Sequence, residues 1–110
     1  MRIVHEVIIR PDDGLHIEAA AALEELGGIH AKAPGFINGY TLDGMAEGGL
    51  LARVSVWDSR AAMEACSQLD HMLAQREKLE ALAHPISFGS LLDVTSERSG
   101  DFHHAFRAFA

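Results

Sequence analysis

Hydrophobic and polar positions switch along the chain between a two-residue and a helical period. Residues 2–10, Arg-Ile-Val-His-Glu-Val-Ile-Ile-Arg, are dense in β-branched side chains and stop at the turn-forming Pro11-Asp12-Asp13-Gly14, which predicts a first strand. From Leu15 the spacing changes. Leu15, Ala19, Ala22, Leu26 and Ile29 recur at helical intervals, with Asp12 or Asp13 placed to cap the helix. A glycine costs about 1 kcal/mol relative to alanine inside a helix, so Gly27-Gly28 predicts an end or kink, and the helix is expected to stop between Gly27 and Lys32. Ala33-Pro34-Gly35 breaks the chain, and Phe36 to Leu42 reads as a second strand in which Gly39 is a candidate bulge.

The glycine-rich stretch from Asp43 to Gly49 predicts a hairpin loop into a third strand, Leu50 to Trp57. Its alternate positions separate into an aliphatic face (Leu50, Ala52, Val54, Val56) and a mixed face (Leu51, Arg53, Ser55, Trp57). Asp58-Ser59 is a helix-start signal. Ala62, Cys66, Leu69, Leu73, Arg76 and Glu80 follow at steps of four and three, flanked by Met63, Met72, Leu79 and Ala83, and predict a second helix to about Ala83. His84-Pro85 stops it, because the residue before a proline avoids helical geometry, and Ile86 to Val94 returns to strand.

This order predicts an α+β domain over residues 1–95 in the ferredoxin-like βαββαβ arrangement. Right-handed crossovers put the first and third strands at the centre of a four-stranded antiparallel sheet with both helices on one face. The bare face then calls for a second copy of the chain, hence a homodimer. Residues 96–110 form a tail in which Phe102, Phe106 and Phe109 have helical spacing, the pattern of a short segment that docks on the partner or closes a pocket.

A chain of 110 residues has room for one core, and 48% hydrophobic with 23% charged residues is an ordinary globular balance. No apolar run approaches the roughly 20 residues of a membrane span, and the N-terminus lacks a secretory pattern, so a cytoplasmic location is expected. The net charge of −7, without a basic stripe, argues against nucleic acid. The lone cysteine, Cys66, sits on the apolar stripe and reads as a small buried hydrophobe. Seven histidines (His5, His16, His30, His71, His84, His103 and His104) show no zinc-site spacing, so no metal is expected.

The stretches Ala33-Pro34-Gly35-Phe36-Ile37-Asn38-Gly39-Tyr40 and Val54-Ser55-Val56-Trp57-Asp58-Ser59-Arg60-Ala61-Ala62-Met63-Glu64-Ala65 resemble the antibiotic biosynthesis monooxygenase family of dimeric α+β barrels. The resemblance implies a homodimer with a small-molecule pocket between sheet and helices. Haem-degrading relatives carry Asn, Trp and His where this chain has Val7, Cys66 and Arg76, which disfavours that activity. Quinone-forming, cofactor-independent relatives pair an Asn with a Trp four residues later and an Arg further on. Here Trp57 matches, Arg53 replaces the Asn, and Arg76 falls near the Arg.

The resemblance thus implies an oxygenase without a cofactor, acting on a small aromatic or polyketide-like compound. Trp57, Arg76 and Arg53 are its candidate catalytic residues, and His5, Val7, Asn38, Tyr40, Cys66 and His71 its candidate ligand contacts. Structural readings stand beside these. Arg76 is spaced to pair with Glu80, Arg53 with Glu6 across strands, and Trp57 is an aromatic of the core or dimer seam. His71 is solvated unless the helix breaks near Asp70. A non-catalytic binding or stress-response dimer is the alternative function, and a muconolactone-type isomerase using Glu6 or His5 is a third.

Overall fold

The computed structural model describes residues 2–44, 49–96 and 98, the backbone alone for residues 88–90. The elements run β1 (Ile3–Pro11), α1 (His16–Ala31), β2 (Phe36–Asp43), β3 (Leu51–Trp57), α2 (Arg60–Ser67), α3 (Asp70–Leu82) and β4 (Ala83–Asp93). The strands form one antiparallel sheet in the order β2-β3-β1-β4, the arrangement expected from the crossovers. The Phe-rich tail and most of the β2–β3 loop lie outside the described residues.

The structure decides which face of each strand is buried. On β3 the mixed set, Leu51, Arg53, Ser55 and Trp57, is buried beneath the helices together with Ile3, His5, Val7 and Ile9 of β1. The aliphatic set of β3 faces outward with Val4, Glu6 and Ile8, and the neighbouring strands expose Tyr40, Leu42, Ile86 and Leu92 on the rest of the sheet. The polar groups able to do chemistry are thereby enclosed, and the open face is largely apolar.

Several local expectations are corrected. α1 has no side-chain cap. The backbone carbonyl of Asp12 accepts from the Leu15 N–H instead, in a turn that Gly14 closes at a φ of 78°. The helix runs through Gly27-Gly28 without a break, for a reason given below, and ends at Ala31, inside the expected span from Gly27 to Lys32. The β2 irregularity falls at Ile37, between Phe36 and Asn38, and Gly39 stays in register opposite Ser55. β4 begins at Ala83 and takes Pro85 into the sheet, which an edge strand permits because one side of its ladder is unpaired.

The largest correction concerns the second helix. Ser59 caps α2 as expected, its Oγ accepting from the Ala62 N–H at 3.1 Å. The helix then breaks at Gln68-Leu69, where Leu69 is extended, and α3 restarts at Asp70 without a side-chain cap. The break rotates the buried stripe. Met72 and Leu79 turn inward, whereas Leu69 and Leu73, taken as core from an unbroken period, are 41% and 47% exposed. α3 is held against α1 by the Gln75 amide donating to the Ala22 carbonyl at 2.8 Å, and by Gln75 and Lys78 donating to the Glu25 carboxylate.

Candidate functional site

Between the helices and the inner sheet face lies a cavity of about 180 Å³. His5 and Val7 of β1 and Leu91 of β4 form its floor. Leu26 and His30 of α1, Met63 of α2, and Met72 and Leu79 of α3 form its walls. Glu64, Ser67, Leu73 and Arg76 stand at the more exposed side.

Two imidazoles dominate this interior. His5 is 6% exposed and His30 fully buried, with ring centroids 5.7 Å apart in an edge-to-face arrangement. His5 Nδ1 and both ring nitrogens of His30 are buried without a hydrogen-bond partner. Burial, reinforced by the Arg76 charge, pushes the His5 pKa down to about 4. Burial, then His5 and then Arg53, pushes His30 to about 4 as well. Both rings are therefore uncharged at neutral pH, each with one nitrogen able to donate and one able to accept.

His30 was not singled out as a site residue from the sequence, although the signal was present. It follows Leu23 by seven residues and Leu26 by four, on the buried stripe of α1. Choosing Ile29, which is only half-buried, as the last position of the stripe concealed it.

The expected residues are distributed around this pair. Trp57 is fully buried against His30, with centroids 5.3 Å apart; its indole N–H donates to Ser55 Oγ at 2.9 Å, and Phe36 packs edge-to-face with it at 5.5 Å. Arg76 reaches the cavity, with a half-exposed side chain 3.6 Å from Glu80. Val7 is in the floor, but Asn38 and Tyr40 lie on the outer face of the sheet, opposite Val56 and Val54. His71 is exposed on α3, and the helix breaks before it. Cys66 lines a separate hollow of about 350 Å³ with Pro34, Gly35 and Leu69, and burial pushes its thiol pKa up, away from nucleophilic character.

Arg53 is buried but does not line the cavity. Its expected pairing with Glu6 is absent, since Glu6 sits opposite Val54 and points to the other face of the sheet. The guanidinium instead donates to Thr41 Oγ1 at 3.1 Å and approaches the exposed Glu24 at 3.9 Å. It occupies a slot between two glycines: a Cβ on Gly27 would lie 2.5 Å from Arg53 Cζ, and one on Gly39 would lie 2.8 Å from Nη2. This slot is why α1 tolerates a glycine at its buried face.

A paired substitution tests it. Gly28→Ala, with nothing within 4 Å of the added methyl, should stabilise the fold by about 0.5–1 kcal/mol, the usual gain from removing a helical glycine. Gly27→Ala should instead destabilise it by about 1–3 kcal/mol through overpacking. Urea denaturation of both variants gives the two signs; stabilisation by both would show that the guanidinium moves aside freely.

Among the described residues no group of His, Cys, Asp and Glu is placed to hold a metal, and no helix is long and apolar enough to cross a membrane. The sheet order and the placement of the helices define a ferredoxin-like α+β domain with a cavity between the helices and the sheet. The chain matches the antibiotic biosynthesis monooxygenase family over residues 2–78 and belongs to that family.

Its fold is similar to that of SnoaB, a cofactor-independent oxygenase from Streptomyces nogalater, with 14% identity, 87% of this chain and 95% of that one covered, and a TM-score of 0.76. It is also similar to Rv0793 from Mycobacterium tuberculosis, with 18% identity, 90% and 100% covered, and a TM-score of 0.77. A conserved protein from Methanosarcina mazei Go1 shares 12% identity over 84% and 89% of the two chains, with a TM-score of 0.69. No curated protein matches the sequence.

Proposed function

We propose that the chain is a cofactor-independent monooxygenase acting on a phenolic compound, with the neutral His5–His30 pair as proton acceptor and donor. The observation that carries this reading is the pair itself: two buried imidazoles, three of whose nitrogens lack partners, facing an apolar cavity. An unsatisfied buried polar group costs about 1–3 kcal/mol, and a ligand hydroxyl in the cavity would supply the missing hydrogen bond. Membership of a monooxygenase family supports the reaction class, as does the description of SnoaB as a cofactor-independent oxygenase.

In the proposed reaction the substrate hydroxyl donates its proton to an imidazole nitrogen. The imidazole's low affinity for a proton rises as the phenolate forms beside it, because opposite charges within about 4–6 Å favour each other's ionised states. The electron-rich ring carbon of the phenolate gives its electrons to dioxygen, forming a carbon–oxygen bond. The resulting peroxide takes the proton back, and cleavage of its oxygen–oxygen bond, with loss of the ring carbon's hydrogen, releases water and leaves a carbonyl. For a hydroquinone the sum is hydroquinone plus dioxygen to hydroxyquinone plus water, with dioxygen as the oxidant and no added reductant. Arg76 stands at the exposed side of the cavity already paired with Glu80, so in this reading the imidazolium beside the phenolate is the charge that balances it. We further propose that the apolar outer sheet face pairs with a second copy of the chain and that the homodimer works in the cytoplasm.

Oxygen uptake with hydroquinones and phenols of one to three rings tests this reading. Turnover should cease under anaerobic conditions, and with heavy-isotope dioxygen one labelled atom should enter the quinone and one the water. No oxygen uptake across the series overturns it. A proton-transfer isomerase is a second reading, favoured by His5 in the cavity floor, and its turnover would continue without oxygen.

A further inference from the structure

The substrate of the proposed oxygenase can be narrowed from the size and charge of the cavity, an inference that rests on the reading above. A dry cavity of about 150 Å³ accommodates one benzene ring. At about 180 Å³ this one has room for a single ring with its hydroxyl groups, and a second or third fused ring would have to extend past the more exposed side, among Glu64, Leu73 and Arg76. The deep walls of Leu26, Met63, Met72 and Leu79 present apolar side chains, and the polar groups on the inside are the uncharged His5 and His30.

A carboxylate on the ligand would lose its hydration there without meeting a cation. The more exposed side offers no compensation. Arg76 already pairs with Glu80 and shares the lining with Glu64, and the net charge of −7 repels anions at longer range. We infer that the cavity selects an uncharged single-ring hydroquinone or phenol, in preference to hydroxybenzoates and to fused-ring polyketide phenols. Met63 and Met72 set the size limit, since truncating either thioether chain lengthens the apolar space beside the imidazoles.

Trp57 is the sole tryptophan and packs on His30, so its fluorescence reports occupancy of the cavity. The full chain is titrated without oxygen with hydroquinone, gentisate, naphthohydroquinone and dithranol, with calorimetry alongside. Hydroquinone should bind at least about tenfold more tightly than gentisate, which differs by a carboxylate, and than naphthohydroquinone; dithranol should not bind. Met72→Ala, or Met63→Ala if the first does not fold, should narrow the gap between hydroquinone and naphthohydroquinone by about tenfold or more.

Gentisate or dithranol binding as tightly as hydroquinone overturns the inference, as does selectivity unchanged in both methionine variants. Because binding is read without oxygen, the expected selectivity with no oxygen uptake in air sustains this inference and overturns the oxygenase reading alone. Turnover of dithranol but not hydroquinone does the reverse.

Discussion

A His30→Leu variant should unfold at a higher temperature than the parent and lose about a hundredfold or more of its turnover. The stability gain follows from the state of the ring: His30 is fully buried, both of its nitrogens lack partners, and it packs against Leu26, Trp57 and His5. A leucine of similar volume keeps the packing and removes the unsatisfied groups, a gain of about 1–2 kcal/mol. In a domain of this size that is a rise in Tm of roughly 4–12 °C. The loss of turnover follows from the proposed role, since a positioned acid–base group contributes about 10²–10⁴ in rate. Thermal melts and oxygen uptake on the same preparation decide the matter. A variant that is less stable and fully active would make His30 a packing residue and remove the basis of the proposed chemistry.

Acidification should destabilise the protein between about pH 6.5 and pH 4, beginning above the range in which most carboxylates titrate. Both imidazoles have an ordinary value of 6.5 that the fold lowers to about 4. The folded state therefore binds fewer protons than the unfolded chain throughout that interval, and stability falls as the pH falls through it. Above pH 6.5 neither state is protonated at these rings and their contribution is constant. Below pH 4 both states are protonated and the loss is complete.

Each interval corresponds to about 3 kcal/mol, so the pair removes about 6 kcal/mol, comparable with the whole stability of a small domain. His30 is faced by His5 and Arg53, and His5 by His30 and Arg76, with Glu64 at the more exposed side of the same cavity, and the net effect of this surrounding is to disfavour the protonated pair. Urea midpoints measured from pH 8 to pH 4 should show an uptake of nearly two protons on unfolding, reduced to about one in His30→Leu. A flat profile would mean that the rings are hydrated or partnered in solution.

The strand order and the placement of the helices were legible in the sequence because alternation and crossover handedness are local and chiral constraints. What escaped depended on contacts between distant segments. Nothing in Leu-Ala-Arg-Val-Ser-Val-Trp says which face turns inward, and the aliphatic set has the stronger claim by hydrophobicity; the mixed set is inside because its polar groups find Thr41, Ser55 and each other there. Gly27 looked like a stop signal because its partner, Arg53, is 26 residues away. The break at Leu69 carries no proline or glycine, and an unbroken period placed Leu73 in the core and Arg76 in its stripe. Of the site itself, His5, Val7 and Arg76 were named from the sequence and reach the cavity, whereas His30 requires knowing that α1 continues to Ala31.

The guanidinium slot also constrains how such a chain can change over generations. With Arg53 present, a methyl at Gly27 or Gly39 must displace the guanidinium, and the expected result is a loss of stability. With a small residue at position 53, the same methyl at Gly27 fills space and improves the helix. The sign of a substitution thus depends on the order in which it arrives. On that expectation a lineage keeping the arginine keeps both glycines, and one shedding them first loses the arginine and tolerates a hole between Gly27 of α1 and Gly39 of the sheet.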